Sequence, residues 1–393
     1  MATLDIQLKN ETNSDKVFVS ITGLALDKNN ALFLLQKDGK TPHYPGQPGK
    51  DQTPVQENCA IPLGKPGSTK TVTVPHLAGS RIYFSIGEPL KFLLNRGGNG
   101  AALVAPSVNN PADPNYKTQW HFCEFTWDNS QLFCNISYVD FVSIPIALDL
   151  TEKSGNKQHV TGFGADGLQN IVKKLKEQKQ EDKQPWDSLI YAPNGKIVRI
   201  LSPNTVIDGN RKLFQGYFEP YVNKVWEKYK KEELSIDTQN GSWGTVRGKV
   251  GDNNVLTLSG KGGKGYTFTK PSTADIFSCS SGPFPTSNDE YGNLGARIAA
   301  GFNRSTLMAS NSQPNNPSAK DYYKDPHPTN HYSRIVHEVN ADRLGYAFPY
   351  DDVTPANGKD QSGKVADPAP RNFTVTVGGG RKDVKSDIDS VEL

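Results

Sequence analysis

The sequence predicts a mainly β protein with an α/β part, a β-sandwich or barrel joined to a mixed α/β domain. Three observations carry this. Apolar and polar residues alternate through much of the first 150 positions. Gly (36) and Pro (27) make up about a sixth of the 393 residues, a density suited to many short strands and tight turns. Helical periodicity begins only after Leu150.

Leu4, Ile6 and Leu8 alternate with polar residues, and so do Val17, Val19 and Ile21. Val72 and Val74, Ile82-Tyr83-Phe84 and the 120–148 region continue the β pattern, with turn-rich stretches at 41–54 and 106–115 between them. Beyond Leu150, Leu168, Ile171, Val172 and Leu175 recur at helical spacing, which predicts an amphipathic helix entered near Asp166. A second helix carries Phe218, Tyr221, Val222, Val225 and Tyr229 on one stripe, with Pro220 tolerated in its first turn. A third covers about 292–303, and short strands are expected at 197–201, 245–250 and 254–258. The polar, Pro-rich 311–330 segment reads as a long loop. Tyr346–Tyr350 and Phe373–Val377 return to strand character. The expected division is therefore 1–150 as the β domain, 151–330 as a mixed α/β domain inserted into it, and 331–393 as returning strands with a polar tail. The end of that tail, from Gly378, is expected to be disordered.

Composition narrows function by exclusion. A formal charge of +3 gives no reason to expect nucleic acid or an anionic membrane as partner, and no apolar run approaches the ~18 residues of a membrane span. The start, Met1 to Asp5, enters a strand directly and carries no secretory leader. Either the protein is intracellular or its leader has been removed. Cys59, Cys123, Cys134 and Cys279 allow three full pairings and show no metal-ligand spacing, although Cys123 and Cys134 could face each other across a hairpin. Five N-x-S/T sequons begin at Asn10, Asn135, Asn240, Asn303 and Asn372 and favour secretion only slightly.

Gly162-Phe163-Gly164-Ala165-Asp166-Gly167 matches G-x-G-x-x-G, but Gly155-Asn156-Lys157-Gln158-His159 cannot form the buried strand a dinucleotide site needs. A glycine-rich turn into a helix suffices, and no cofactor is expected. His327, His331, His337 and Glu338 cluster loosely in a loop, unlike the helical H-E-x-x-H geometry, so no metal is expected. Asp351-Asp352, behind an aromatic stretch, either line a cleft or cap a turn.

The 120–142 region is the most informative. Alternation places Trp120, Phe122, Glu124, Thr126 and Asp128 on one strand face, with His121, Cys123, Phe125 and Trp127 on the core side. The first face offers aromatics at one end and hydrogen-bonding groups at the other, as sugar binding requires. A solvent-facing Glu on a sandwich is the plainer alternative. Asp128-Asn129-Ser130 reads as a hairpin turn that sets Glu124 opposite Cys134 or Asn135. Asp140 would then lie ~17–20 Å away in a flat sheet, whereas an inverting pair of carboxylates works at ~6.5–9.5 Å. A bend, bulge or sheet crossing must close the gap.

These stretches resemble glycoside hydrolase family 64, the laminaripentaose-producing β-1,3-glucanases of the thaumatin-like superfamily. The resemblance rests on Glu124-Phe125-Thr126 followed by Tyr138-Val139-Asp140-Phe141-Val142, and on Phe218-Glu219-Pro220-Tyr221-Val222 and Val225–Tyr229. It continues through Pro271–Phe277, Ala300–Arg304 and Tyr346–Val353. The resemblance implies a β-barrel domain and an α/β domain with a wide groove between them for a β-1,3-glucan chain such as laminarin or curdlan. It implies an inverting, cofactor-free and metal-free hydrolysis by a secreted monomer, with Glu124 as general acid and Asp140 as general base. Thr126, Asp128, Trp120, Phe122, Ser137, Asp351 and Asp352 are the expected sugar contacts. The family pattern favours Asn where this chain has Asp128, and a third carboxylate there would alter the local charge. The alternative is a thaumatin-like glucan-binding protein without turnover.

Overall fold

The computed structural model describes residues 3–98, 100–316, 318–324 and 328–379. Its largest sheet runs in the order Lys364–Asp367, Leu132–Ile136, Gln119–Trp127, Leu77–Ile86, Val17–Ala25, Ala31–Leu35 and Pro42–His43, with Ile61–Pro62 also pairing the Val17–Ala25 strand. A five-stranded sheet runs Lys157–Val160, Ile146–Glu152, Pro370–Val377, Leu4–Asn10 and Thr69–Val74. Side chains alternate across a strand, so each sheet sends every second residue into one core. Ile6, Leu8, Val72, Val74, Leu148 and Val375 meet Val19, Ile21, Ile82, Phe84, Cys123 and Phe125 there. Each such fully buried Val, Ile, Leu or Phe contributes roughly 1.5–3 kcal/mol. The Pro370–Val377 strand lies between Leu4–Asn10, parallel to it, and Ile146–Glu152, antiparallel. Strands 366 positions apart in sequence are thus neighbours in one sheet, Leu4–Asn10 beside Pro370–Val377.

The second face of the large sheet is covered only in part. A three-stranded sheet of Gly100–Val104, Leu93–Gly97 and Thr53–Pro54 contributes to a smaller apolar cluster of Leu32, Leu34, Tyr83, Leu94, Trp120, Phe122 and Phe141. Where that cluster ends, at Arg81 and Glu124, the sheet face opens.

The remaining chain is helical with a second sheet. The helices are α1 (Gly167–Asp182), α2 (Pro203–Gly209), α3 (Glu219–Lys231), α4 (Thr273–Ser278), α5 (Glu290–Asn303) and α6 (His331–Val339). The sheet runs Gly265–Phe268, Leu256–Ser259, Thr245–Val250, Leu234–Asp237 and Ser312–Gln313. α1, α3 and α5 occupy the places their periodicity predicts. α2, α4 and α6 escape a periodicity search because they span 7, 6 and 9 residues, and side-chain caps define them instead. Ser202 accepts from the Thr205 N–H, Ser272 from that of Asp275, and Asn330 from that of Ser333. His331, His337 and Glu338 therefore lie on or beside a helix rather than in a loop, and His327 falls outside the described residues. Tyr346–Tyr350 is not a strand. Only Tyr346 makes a bridge, to Ser137, because the following residues turn inward around Asp351. The charged tail beyond Gly379 also lies outside the described residues.

Candidate active site

Strand register builds the site. Glu124 pairs across the sheet with Arg81 on one side and Asn135 on the other. Arg81 pairs in turn with Thr22, and Asn135 with Lys364. Directly opposed residues project from the same face, so Thr22, Arg81, Glu124, Asn135 and Lys364 form one polar row across five strands. Four inter-strand steps make it ~19 Å long. Phe133, paired with Thr126, stands on the same face, half-buried, with the Lys364 ammonium 5.9 Å from its ring centre.

Asp140 reaches this row because the chain leaves the sheet after Ile136. Phe141–Val142 pairs instead with Arg199–Leu201 in a separate three-stranded sheet. His121, fully buried on the opposite face of the Glu124 strand, holds the bend. Its Nδ1 lies 3.0 Å from the Ile144 carbonyl oxygen, and its Nε2 lies 3.1 and 3.2 Å from those of Ser137 and Phe141. Burial lowers its pKa to about 4, against these carbonyl contacts, which favour the charged ring. Tyr332 donates its hydroxyl to the Tyr138 carbonyl at 2.6 Å. The Asp140 carbonyl accepts from the Ser202 N–H at 2.8 Å and the Thr205 hydroxyl at 2.9 Å. The N-terminal cap of α2 thereby fixes the backbone of Asp140.

Glu124 and Asp140 line one open cleft of about 410 Å³ together with Arg81, Phe133, Asn135 and Ser137, and its far wall includes Tyr346, Pro349 and Asp352. Arg81 binds Glu124 through Nε and Nη2, each 3.0 Å from Oε1. Asp140 is exposed at the cleft mouth, yet the protein around its carboxylate raises its pKa by desolvation. Arg81 opposes this rise and Asp208 of α2 adds to it. Asp352 is likewise raised by desolvation, against a hydrogen bond from Tyr346. Asn135 is buried, and its Oδ1 has no hydrogen-bond partner among the described residues. An orphaned acceptor costs about 1–3 kcal/mol unless a ligand donates to it.

The structure brings together Glu124, Asp140, Ser137 and Asp352 of the residues singled out in the sequence. Thr126 shares the face two residues from Glu124. Trp120 and Phe122 are displaced from the expected sugar surface: both are 2% exposed, because the small sheet packs over them. Asp128 is at the hairpin turn, where its carboxylate accepts from the Ser130 N–H at 2.7 Å, the Ser130 hydroxyl and the Gln131 N–H at 3.0 Å. Asp351 is fully buried, bound to Arg304 and His337. Arg81, Phe133, Asn135 and Lys364 went unrecognised in the sequence. The Glu124–Asn135 register was a signal for Phe133 and Asn135, since residues two apart share a face. Nothing local marks Arg81 or Lys364.

All four cysteines are free and buried. Among the described residues no group of three or more His, Cys, Asp or Glu is arranged to hold a metal. No helix among them is long and apolar enough to cross a membrane. His331 packs against the edge of Trp186, 5.3 Å between ring centres, and burial lowers its pKa to about 3. Gly162 takes φ +64° and would place a Cβ 2.2 Å from the Ile146 carbonyl oxygen, so a close backbone approach accounts for the first glycine of the G-x-G-x-x-G stretch.

Comparison with known proteins adds three findings. Glucan endo-1,3-β-glucosidases of Cellulosimicrobium cellulans and Arthrobacter sp. (strain YCWD3) are each 25% identical over 354 residues, 90% of this chain. The chain spans 62% of the length of each of these relatives. A crystal structure of a laminaripentaose-producing β-1,3-glucanase in complex with laminaritetraose superposes with a TM-score of 0.84 at 29% identity, covering 96% of this chain and 98% of that one. A family 64 β-1,3-glucanase domain from Clostridium beijerinckii shares the fold, with a TM-score of 0.70 at 23% identity and 95% and 98% coverage. Finally, the family model for glycoside hydrolase family 64, described as β-1,3-glucanase, matches residues 2–377, and a match over nearly the whole chain means that the protein belongs to this family.

Proposed function

We propose that this protein is an inverting glycoside hydrolase that cleaves β-1,3-glucan, releasing short laminarioligosaccharides. The observation that carries the reading is the shared open cleft of Glu124 and Asp140, lined by a half-buried aromatic ring and an amide oxygen with no hydrogen-bond partner among the described residues. Hydrolysis of an acetal needs a proton for the departing oxygen and a base for the attacking water. Glu124, bound to Arg81 through one oxygen, presents the other as the proton donor. Asp140, made more basic by desolvation, accepts a proton from water as the water oxygen attacks the anomeric carbon from the opposite face. The glycosidic C–O bond breaks, the leaving sugar keeps the proton from Glu124, and the new hydroxyl has inverted configuration. Phe133 offers a flat apolar surface to a sugar ring, and Asn135 and Ser137 offer hydrogen bonds to its hydroxyls.

The β-rich part, residues 1–150 with the C-terminal strands, forms the thaumatin-like half of this reading, and 151–330 forms the α/β half. A polymer too large to enter a cell places the enzyme outside it. Leu24 is the one large hydrophobic residue exposed among the described residues, which supports a monomer. The deciding experiment is product analysis on linear β-1,3-glucan, with Glu124→Gln run beside the wild-type protein. Turnover by the wild type alone, with glucan binding kept by both, is the expected result. If both bind glucan and neither releases sugar, the protein is a glucan-binding module and the hydrolase reading is wrong.

A further inference from the structure

The sheet face that carries Glu124 continues past the cleft. From Glu124 the polar row runs through Arg81 to Thr22, two inter-strand steps or ~10 Å. Thr22 lines a second open groove of about 470 Å³, together with Leu24, Asn30, Pro45, Gly79 and Leu103. The large sheet is its floor, and the Gly100–Val104 strand of the small sheet is one of its walls. A β-bulge shapes it. Between Thr22 and Leu24 the partner on the Leu77–Ile86 strand moves from Arg81 to Ala78, which leaves an extra residue on that strand. Gly79, in this stretch, takes φ +54°, and nothing lies within 4 Å of where its Cβ would stand. Such a bulge bends its strand and re-aims the side chains beside it. Leu24, two residues from Thr22 and on the same face, is 42% exposed here.

The chemistry of the two hollows differs. Among the described residues no charged side chain lines the groove, whereas the cleft holds Arg81, Glu124, Asp140, Asp352 and Lys364. An ionic ligand would find no counter-charge in the groove. A neutral sugar finds both things it needs: Leu24, Leu103 and Pro45 for the C–H face of a ring, and Asn30 with the exposed backbone at Gly79 for its hydroxyls. Continuity along one row of opposed residues selects which sugar, because a chain bound at Glu124 and extended past Arg81 arrives at Thr22. We propose that this groove is a second glucan-binding section, which takes the part of a long β-1,3-glucan chain that projects beyond the cleft. Short chains that fill only the cleft do not reach it. No bond is made or broken there; contact with the unreacting part of the chain adds affinity for the polymer and aligns it over Glu124 and Asp140. The proposal rests on the glucanase reading and adds Leu24 as the principal contact.

The test compares wild type, Leu24→Ala, Leu24→Glu and Leu24→Phe on a long soluble linear β-1,3-glucan and on the shortest β-1,3-oligosaccharide the enzyme cleaves. Thermal unfolding and gel filtration accompany each variant. The readout is the ratio of kcat/KM on the long chain to kcat/KM on the short one. Leu24→Ala is expected to lower this ratio about 5-fold, because most of the apolar contact of a half-exposed leucine is removed. Leu24→Glu should lower it further, since a carboxylate is set against the apolar face of a sugar, and Leu24→Phe should keep it. If Leu24→Glu does not fold, Leu24→Ala carries the test. An unchanged ratio overturns the proposal. So does a wild-type dimer that Leu24→Glu splits, which would assign the groove to a second copy of the chain. If the wild type shows no turnover, the hydrolase reading fails, and affinity for the same long glucan decides this one separately: weaker binding by Leu24→Glu upholds the groove, and equal binding removes it.

Discussion

Replacing Asp351 by Asn should be among the most damaging single-atom changes in this protein. The side chain is fully buried and accepts three hydrogen bonds: from Arg304 Nη2 at 2.9 Å, His337 Nε2 at 2.8 Å and the Ala347 N–H at 3.0 Å. Arg304 also donates to the backbone carbonyls of Asp351 and Val353. His337 Nδ1 faces the Arg343 carbonyl at 2.9 Å. Both imidazole nitrogens thus meet acceptors, which suits a protonated ring. In Asp351→Asn the amide keeps one acceptor and turns an N–H₂ toward a donor, and Arg304 loses its buried counter-charge. Breaking a buried pair by removing one partner costs ~3–5 kcal/mol. At an m-value of about 3 kcal/mol/M, the urea midpoint should fall by roughly 1 M or more.

The pH dependence of the difference between the two proteins is a sharper readout than either midpoint. Asp351 is held below its ordinary 3.8: desolvation opposes this, but the charges and hydrogen bonds of His337 and Arg304 outweigh it. A depressed carboxylate contributes stability above its unfolded pKa and loses it as pH falls through the folded value. His337 is raised above its ordinary 6.5 by Asp351 despite its burial. A raised histidine contributes fully below its unfolded pKa and loses that contribution as pH rises through the folded value. The gap between wild type and Asp351→Asn should therefore be widest between ~4 and ~6.5 and narrow on either side. His121 and His331, whose pKa values burial lowers to about 4 and about 3, lose stability on acidification in both proteins and cancel from the difference. Urea unfolding of the pair at pH 3, 5.5 and 9 decides it. A gap under ~1 kcal/mol, or one that does not change with pH, would refute the buried ion triad.

Other outcomes follow from single contacts. Asn135→Leu removes an orphaned acceptor, so stability should hold or rise by about 1 kcal/mol while glucan affinity falls; a loss of stability with affinity intact would mean that Asn135 is structural. Phe133→Ala should raise KM about 3- to 10-fold with a smaller change in kcat, and an unchanged KM would take Phe133 out of the binding surface. Gly162→Ala should destabilise by at least ~2 kcal/mol, because a Cβ would collide with the Ile146 carbonyl at a positive φ; a neutral result in thermal unfolding would show that the turn relaxes freely. A thiol reagent should find no reactive cysteine in the folded protein and four after denaturation. Two after denaturation would reveal a disulfide.

Local pattern carried most of the β part and the three long helices, because alternation and the 3.6-residue period are properties of the chain itself. What it missed depends on which side of a strand another element covers. Trp120, Phe122 and Glu124 share one face of one strand, and the alternation correctly put them together. Whether that face is wet is decided by Leu94 and its neighbours, some 30 residues away, whose sheet packs over the first two and stops short of the third. The register also served the Asp140 problem only halfway. It showed that a flat hairpin cannot bring Asp140 to Glu124, and the remedy lay outside the hairpin: His121 on the reverse face, Tyr332 of α6 and the cap of α2 hold the bend. Those partners are separated from Asp140 by 19 to 192 positions, and no spacing rule connects them. The same long reach explains Asp351. As one of two adjacent acids it has no distinguishing pattern, and only the fold assigns it to Arg304 and His337 while its neighbour Asp352 faces the cleft. Buried polar groups that fix a bend and exposed ones that face a ligand look alike in sequence, because the difference lies in which distant surfaces close over them.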